Sequence, residues 1–157
     1  MIGRILGVIA APFALLLASP VALAEQADAV SLSGDVKVVR TVEENGATVT
    51  KLEEPTQVVP GDRILFRTAY RNTSGSTVED FVITNPLPSA VVLAEPGDFE
   101  VSVNGGDAFA SLSSLTVTLD DGTSRPAELA DVTHIRWTLH HLAPGQSGTV
   151  TYFAVIR

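Results

Sequence analysis

The side chains able to do chemistry in this chain are few: three histidines, a scatter of carboxylates, a row of arginines and one serine between glycines. A hydrolase needs a nucleophile, a base and a group to orient the base, and Gly145-Gln146-Ser147-Gly148 is the place to look for the first. Its spacing is not Gly-x-Ser-x-Gly, and it falls between two expected antiparallel strands, whereas that motif needs a strand-to-helix turn. It reads as a turn. His134 and His140 share an expected strand face, yet six residues of strand put them roughly 20 Å apart, and His141 is expected to point the other way. No single ion fits that spacing. Asp98, Glu100, Asp107, Asp120 and Asp121 lie in expected loops, where extracellular sandwiches can offer oxygens to calcium, but no Asp-x-Asp-x-Asp-Gly loop gathers them. The expectation is of no catalytic, cofactor-binding or metal-binding residues, and of a protein that is not an enzyme.

Three further patterns concern contact. Arg63, Arg67 and Arg71 recur every four residues on one strand face, a row expected to pair with carboxylates on a neighbouring strand, such as Glu79. Trp137 alternates with Ile135 and Leu139, which makes it a core residue before it is a sugar platform. Phe153 and Val155 lie opposite Tyr152 and Ala154 on the last strand. If Val150, Tyr152, Ala154 and Ile156 face the core, the other face of that strand shows apolar groups to solvent or to a partner. Asn72-Thr73-Ser74 has the form of a glycosylation sequon but sits in a turn.

The elements that position these residues are short and β-rich, with Gly, Pro, Asn and Asp between them and no sustained 3.6-residue apolar period. Ser31 to Val42 and Ala47 to Leu52 flank Glu44-Asn45-Gly46, a hairpin signal. Arg63 to Arg71 follows Pro60-Gly61-Asp62 and places Ile64, Phe66, Thr68 and Tyr70 on a core face, with the arginines on a wet one. Asn72-Thr73-Ser74-Gly75 turns into a strand from Val78 to Thr84, which Asn85-Pro86-Leu87-Pro88 should end. A short strand over Ala90 to Ala94 follows, then a hairpin of Phe99 to Val103 with Ala108 to Leu112 about Asn104-Gly105-Gly106. Ser114 to Leu119 runs into Asp120-Asp121-Gly122, and residues 123–132 are expected as loop with one helical turn near Ala127 to Ala130. Ile135, Trp137 and Leu139 alternate with Arg136, Thr138 and His140, and Pro144-Gly145 leads to a final strand from Thr149 to Arg157. Eight to ten such strands predict an all-β fold, an antiparallel β-sandwich burying Phe66, Tyr70, Trp137, Leu139, Val150 and Tyr152, with barrel closure as the alternative. A lipid-facing barrel is disfavoured by the arginine row.

The N-terminus carries an address. Arg4 precedes an apolar run from Ile5 to Ala18, Pro20 breaks it, and Ala22-Leu23-Ala24 presents small residues at a cleavage position: the pattern of a secretory signal peptide, residues 1–24. The run is short for a bilayer span, and no later segment approaches one. Removing 24 of the 157 residues leaves a 133-residue mature chain, 25–157, beginning at Glu25 and sized for one domain. It is expected to be secreted or periplasmic. Nine Lys and Arg then face eighteen Asp and Glu, a formal charge of −9 that argues against nucleic acid and anionic lipid as partners. With no Cys there is neither disulfide nor lipid anchor, so the core alone must stabilise the exported chain.

Pro60-Gly61-Asp62, the alternating strand, Asn72-Thr73-Ser74-Gly75, Val82-Ile83-Thr84-Asn85-Pro86-Leu87-Pro88, Ile135-Arg136-Trp137, Leu142-Ala143-Pro144-Gly145-Gln146-Ser147 and a closing strand occur in one order. In that order they resemble the conserved-repeat β-sandwich family, domain of unknown function 11, over Val58 to Arg157; Val101-Ser102-Val103-Asn104-Gly105-Gly106 is similar to a hairpin of its small exported members. The resemblance implies an immunoglobulin-like sandwich, a single domain here, working outside the bacterial cytoplasm. Asn85 stands where members often carry Asp, and this chain has one copy where many have tandem arrays. The family brings no catalytic residues. The expected role is therefore an exported, non-enzymatic module acting by protein–protein contact in the periplasm or at the cell surface, with a partner in the cell envelope. The alternative is an extracellular module binding carbohydrate or calcium through the loops at one end of the sandwich.

Overall fold

A computed structural model describes residues 29–157. The expected leader and its cleavage position lie outside the described residues. From Val30 on the chain is all-β, ten strands and two short 3₁₀ turns: β1 (Val30–Glu44), β2 (Ala47–Glu53), β3 (Arg63–Asn72), β4 (Val78–Pro86), β5 (Val91–Leu93), β6 (Glu100–Ser102), β7 (Thr116–Thr118), β8 (Ser124–Pro126), β9 (His134–Leu142) and β10 (Ser147–Ile156). They form an antiparallel sheet ordered β2-β1-β3-β10-β5, a second ordered β4-β9-β6, and a small hairpin of β7 with β8. One cluster joins the two larger sheets: Ile83, Val101, Ile135 and Trp137 from one meet Val91, Leu93, Tyr152 and Ala154 from the other. Two layers sharing one core is a sandwich arrangement.

Period-two patterning explains the layers. In β3, Ile64, Phe66, Thr68 and Tyr70 turn inward, with Tyr152 stacked on Phe66 at a centroid distance of 4.7 Å and Trp137 at 6.2 Å from Tyr152. Trp137 and Tyr152 are buried core residues, while Phe66, Tyr70, Leu139 and Val150 pack half-buried around them. Gly148 lies opposite Tyr70, and a Cβ there would come within 2.4 Å of the Tyr70 hydroxyl oxygen, so only glycine leaves room for that ring. Asn85 donates across the sandwich to the Thr68 hydroxyl at 3.0 Å.

Several elements depart from the sequence expectation. Ala108 to Leu112 is not a strand: Ala110 makes one isolated bridge to Val101, and Leu112–Ser114 is a 3₁₀ turn. The cause is local. Ser102 Oγ accepts from the Gly106 amide at 3.0 Å and Asn104 Oδ1 from that of Ala108 at 3.1 Å, which consumes donors a hairpin ladder would use. Residues 124–126 form β8 where loop was expected, because Asp121 accepts from the Thr123 amide and hydroxyl and closes a tight turn after β7. Pairing in β4 continues through Asn85 to Pro86 before it stops.

The largest departure is a change of phase. Asp80 takes a left-handed φ of 48°, so Val78 and Phe81 both face inward; on the paired strand Leu142 and Leu139 do the same. His140 and His141, expected on opposite faces, are consequently both exposed.

Candidate functional site

The three histidines do not converge. His134 Nδ1 lies 3.1 Å from the Thr133 hydroxyl, with its ring edge-on to Phe109. His140 and His141 pair separately with Asp80 at 2.7 Å and Glu79 at 3.0 Å. Glu79 thus serves a histidine, not the arginine row as the sequence suggested. Of the loop carboxylates, Glu100 is held by Arg136 at 2.7 Å, and Asp121 by its own turn, whose Thr123 hydrogen bonds keep the carboxyl below its ordinary pKa. Among the described residues no group of three or more His, Asp or Glu is arranged to hold a metal ion. Ser147 opens β10 opposite Arg71, and its preceding turn is fixed by Gly145 donating to the Asn72 carbonyl at 3.0 Å. Asn72 is fully buried, its amide donating to the carbonyls of Ser76 and Leu142 at 2.8 Å each, so the sequon-like triplet is a folded turn.

What does assemble is a face. On the outer side of the five-stranded sheet, the register places Leu52, Val39, Arg63, Val155 and Val92 in one row across all five strands. The adjacent row carries Lys37, Leu65 and Phe153. This is the arginine face expected to be wet, yet Leu65 in its middle is only 7% exposed. Arginine and lysine stems supply the cover, as long cationic side chains do over apolar surface. The Arg63 guanidinium lies 4.3 Å above the Phe153 ring and forms an ion pair with Glu95 at 2.7 Å; Lys37 bonds Glu54, which pushes its ammonium pKa upward. Arg67 pairs with Asp35 from β1, holding that carboxyl below its usual range. Arg63 and Arg67 therefore find carboxylates, though not the one expected.

Two parts of this arrangement were hidden in the sequence. The last strand is not at an edge: β10 lies between β3 and β5, so its exposed side is a sheet face and not a row of open backbone groups. Phe153 is half-buried beneath Arg63, and the exposed apolar end of the row is Leu52, at 48%. Leu52 alternates in plain view, but only strand order shows that it continues the row of Val155.

A separate cavity of about 380 Å³ flanks β10, lined by Glu95, Asp98, Phe99, Trp137, Thr149 and Tyr152 among others. Its aromatics are largely spent on one another: Phe99 meets Trp137 edge-on at 5.5 Å, and burial raises the Tyr152 hydroxyl pKa to about 12.

The fold and this surface define an all-β, sandwich-like protein with a mixed apolar and cationic sheet face. No helix among the described residues is long and apolar enough to cross a membrane. Comparison with protein-family models, curated proteins and solved structures finds no match to this chain.

Proposed function

We propose that this chain is an exported, non-enzymatic β-sandwich module, immunoglobulin-like in arrangement and related to the conserved-repeat β-sandwich family, that acts by protein–protein contact in the bacterial periplasm or at the cell surface. The observation that carries the reading is the outer row Leu52, Val39, Arg63, Val155 and Val92, apolar side chains on four of the five strands of the wider sheet with Arg63 between them and no second layer over them among the described residues. A solvated sheet face has no use for such a row, whereas a partner surface does. Arg63 within the row and Arg67 beside it are paired with Glu95 and Asp35.

The test is capture of envelope proteins by crosslinking to tagged chain, wild type against Val155→Glu and Val39→Glu. One stoichiometric partner that disappears with both variants, while their thermal melts stay close to wild type, supports the reading. A partner that binds all three equally overturns it.

The cavity beside β10 supports a second reading, an extracellular site for carbohydrate, because Trp137, Phe99 and two carboxylates line it. Trp137 is the chain's single tryptophan, so its fluorescence reports directly. Cell-wall glycans that change neither its emission nor the melting temperature would remove this reading.

A further inference from the structure

Among the described residues the two larger sheets end in four outer strands, β2 and β5 on the wider sheet and β4 and β6 on the narrower; β1 is open as well over Val30–Lys37, beyond the end of β2, where Gly34 interrupts it. An open edge is a row of unpaired backbone groups and a template for another strand. Three of the four are unsuited to pairing. β5 and β6 are three residues each, and β4 carries Pro86 and the left-handed Asp80, with Glu79 and Asp80 as adjacent like charges. β2 is seven residues long, regular and exposed almost throughout.

Its hydrogen-bonding phase follows from its turn. Asn45 and Gly46, with φ of 53° and 80°, form a two-residue hairpin loop, so Glu44 and Ala47 exchange the first bonds of the ladder. Val49, Lys51 and Glu53 then bond β1 in the same way, and Thr48, Thr50 and Leu52 direct their N–H and C=O outward. A two-fold axis through Leu52 uses those groups. Leu52 would exchange both backbone bonds with Leu52 of a second copy, and Thr50 would pair with Glu54, which lies just past β2 and whose carbonyl also accepts from the Thr56 amide of its own chain at 2.8 Å. The same register sets Lys51 opposite Glu53 twice, once on each side of the axis, on the face opposite Leu52. Apolar meets apolar, and each cation meets an anion. A shift of the axis to Thr50 would instead oppose Lys51 to Val49 and Glu53 to Ala47, which loses both charge pairs.

The geometry points to β2 as a self-pairing edge: two copies of this chain join antiparallel about Leu52, making one ten-stranded sheet. The row Leu52, Val39, Arg63, Val155, Val92 then runs without interruption from one copy into the other. This deepens the contact reading by naming one partner, a second copy of the chain.

The experiment is light scattering on the chain purified from its own expressing cells, combined with charge exchange and single cysteine substitutions in a protein that has no cysteine. Lys51→Glu and Glu53→Lys singly are expected to weaken dimerisation about tenfold, and the double exchange Lys51→Glu/Glu53→Lys to restore it. Leu52→Cys should oxidise to a covalent dimer, whereas Val49→Cys, whose side chain the register sets apart from its own symmetry mate, should not. A chain that stays monomeric at millimolar concentration, and whose Leu52→Cys variant forms no disulfide-linked dimer, overturns the proposal. So does a dimer indifferent to both charge reversals. If envelope capture through Val39 and Val155 persists in such a monomer, the contact reading stands and only the self-pairing falls.

Discussion

The sandwich and the β1–β2 arm are built from the same alternating grammar, but burial holds only the first. β1 is fifteen residues long; its first ten pair with β3 over the core, and its last seven pair with β2. In the sandwich, Ile83, Leu93, Ile135 and Ala154 lose nearly all contact with water. Along β2 the side chains lie open, and what fixes the strand is a ladder, a two-residue turn and ion pairs such as Lys51 with Glu44. Exposed pairs of that kind contribute little. A two-stranded ribbon without a buried face is marginal in water by itself. The arm keeps a strand's shape because β1 is already fixed at its base by pairing with β3, not because its own side chains are buried.

The strongest way to break this comparison is to truncate one aliphatic side chain to alanine in each of the two regions. Ile135→Ala, at a position with 0% exposure, should cost about 3–4 kcal/mol, read as a shift in urea midpoint at unchanged slope. Val49→Ala in the arm should stay within about 0.5 kcal/mol. Equal effects would mean that the arm folds as part of the core. Next in size is Asn72→Ala. Its side chain donates to the Ser76 and Leu142 carbonyls and accepts from the Ser74 amide and hydroxyl, a network centred on a fully buried residue at the turn between β3 and β4. Stranding those groups should cost about 2–3 kcal/mol, visible in the same unfolding curves.

The junction between the regions supplies a smaller, pH-dependent effect. Asp62 accepts from Arg40 of β1 at 2.5 Å and from the Val59 amide at 2.9 Å, and Arg40, then the Val59 amide, hold its carboxyl below the ordinary range. Asp131 is lowered first by Arg125 in the same manner. A carboxyl whose folded pKa is depressed stabilises fully above its unfolded pKa of about 4, and that contribution fades as pH falls through the folded value. Unfolding midpoints should therefore be level from pH 7 to about 5 and drop below about 4. Asp62→Asn should lie lower at neutral pH and show a shallower acid slope; an unchanged slope would mean that Arg40 does not anchor the arm.

Much of this was legible beforehand, and the failures have physical causes. Asn45-Gly46 between β-rich runs specified the β1–β2 hairpin because both residues accept positive φ, as they do here. The inward set Ile135, Trp137 and Leu139 followed from period two alone. Asp80 defeats the same rule: one left-handed residue shifts the phase, nothing in Glu79-Asp80-Phe81 announces it, and His141 is exposed where strict alternation would turn it inward. Asn104-Gly105-Gly106 gave a hairpin signal, but Ser102 and Asn104 side chains outcompete the ladder, a choice that composition cannot rank. The outer row is not legible in the sequence for a different reason. Phe153 and Val155 were visible as an outward pair, but their continuity with Val39 and Leu52 depends on strand order, and β2-β1-β3-β10-β5 is set by long-range pairing. Local sequence specifies faces; it does not specify neighbours.

Amide hydrogen exchange reads the difference between the regions residue by residue, with the smallest energies and the finest pattern. In β3, flanked by β1 and β10, every amide has a ladder partner on one side or the other, and exchange should approach the rate set by global unfolding. In β2 protection should alternate. The amides of Val49, Lys51 and Glu53 bond β1 and are slowed by the opening energy of the hairpin alone. Those of Thr48, Thr50 and Leu52 face the open edge and should exchange nearly as fast as free peptide in dilute protein. Raising the concentration sharpens the test, because pairing about Leu52 protects Thr50 and Leu52 while leaving Thr48, beyond the short ladder, as it was. Protection that rises uniformly along β2 would point to general stiffening of the arm, and protection that never alternates would mean that the edge is already covered within one chain.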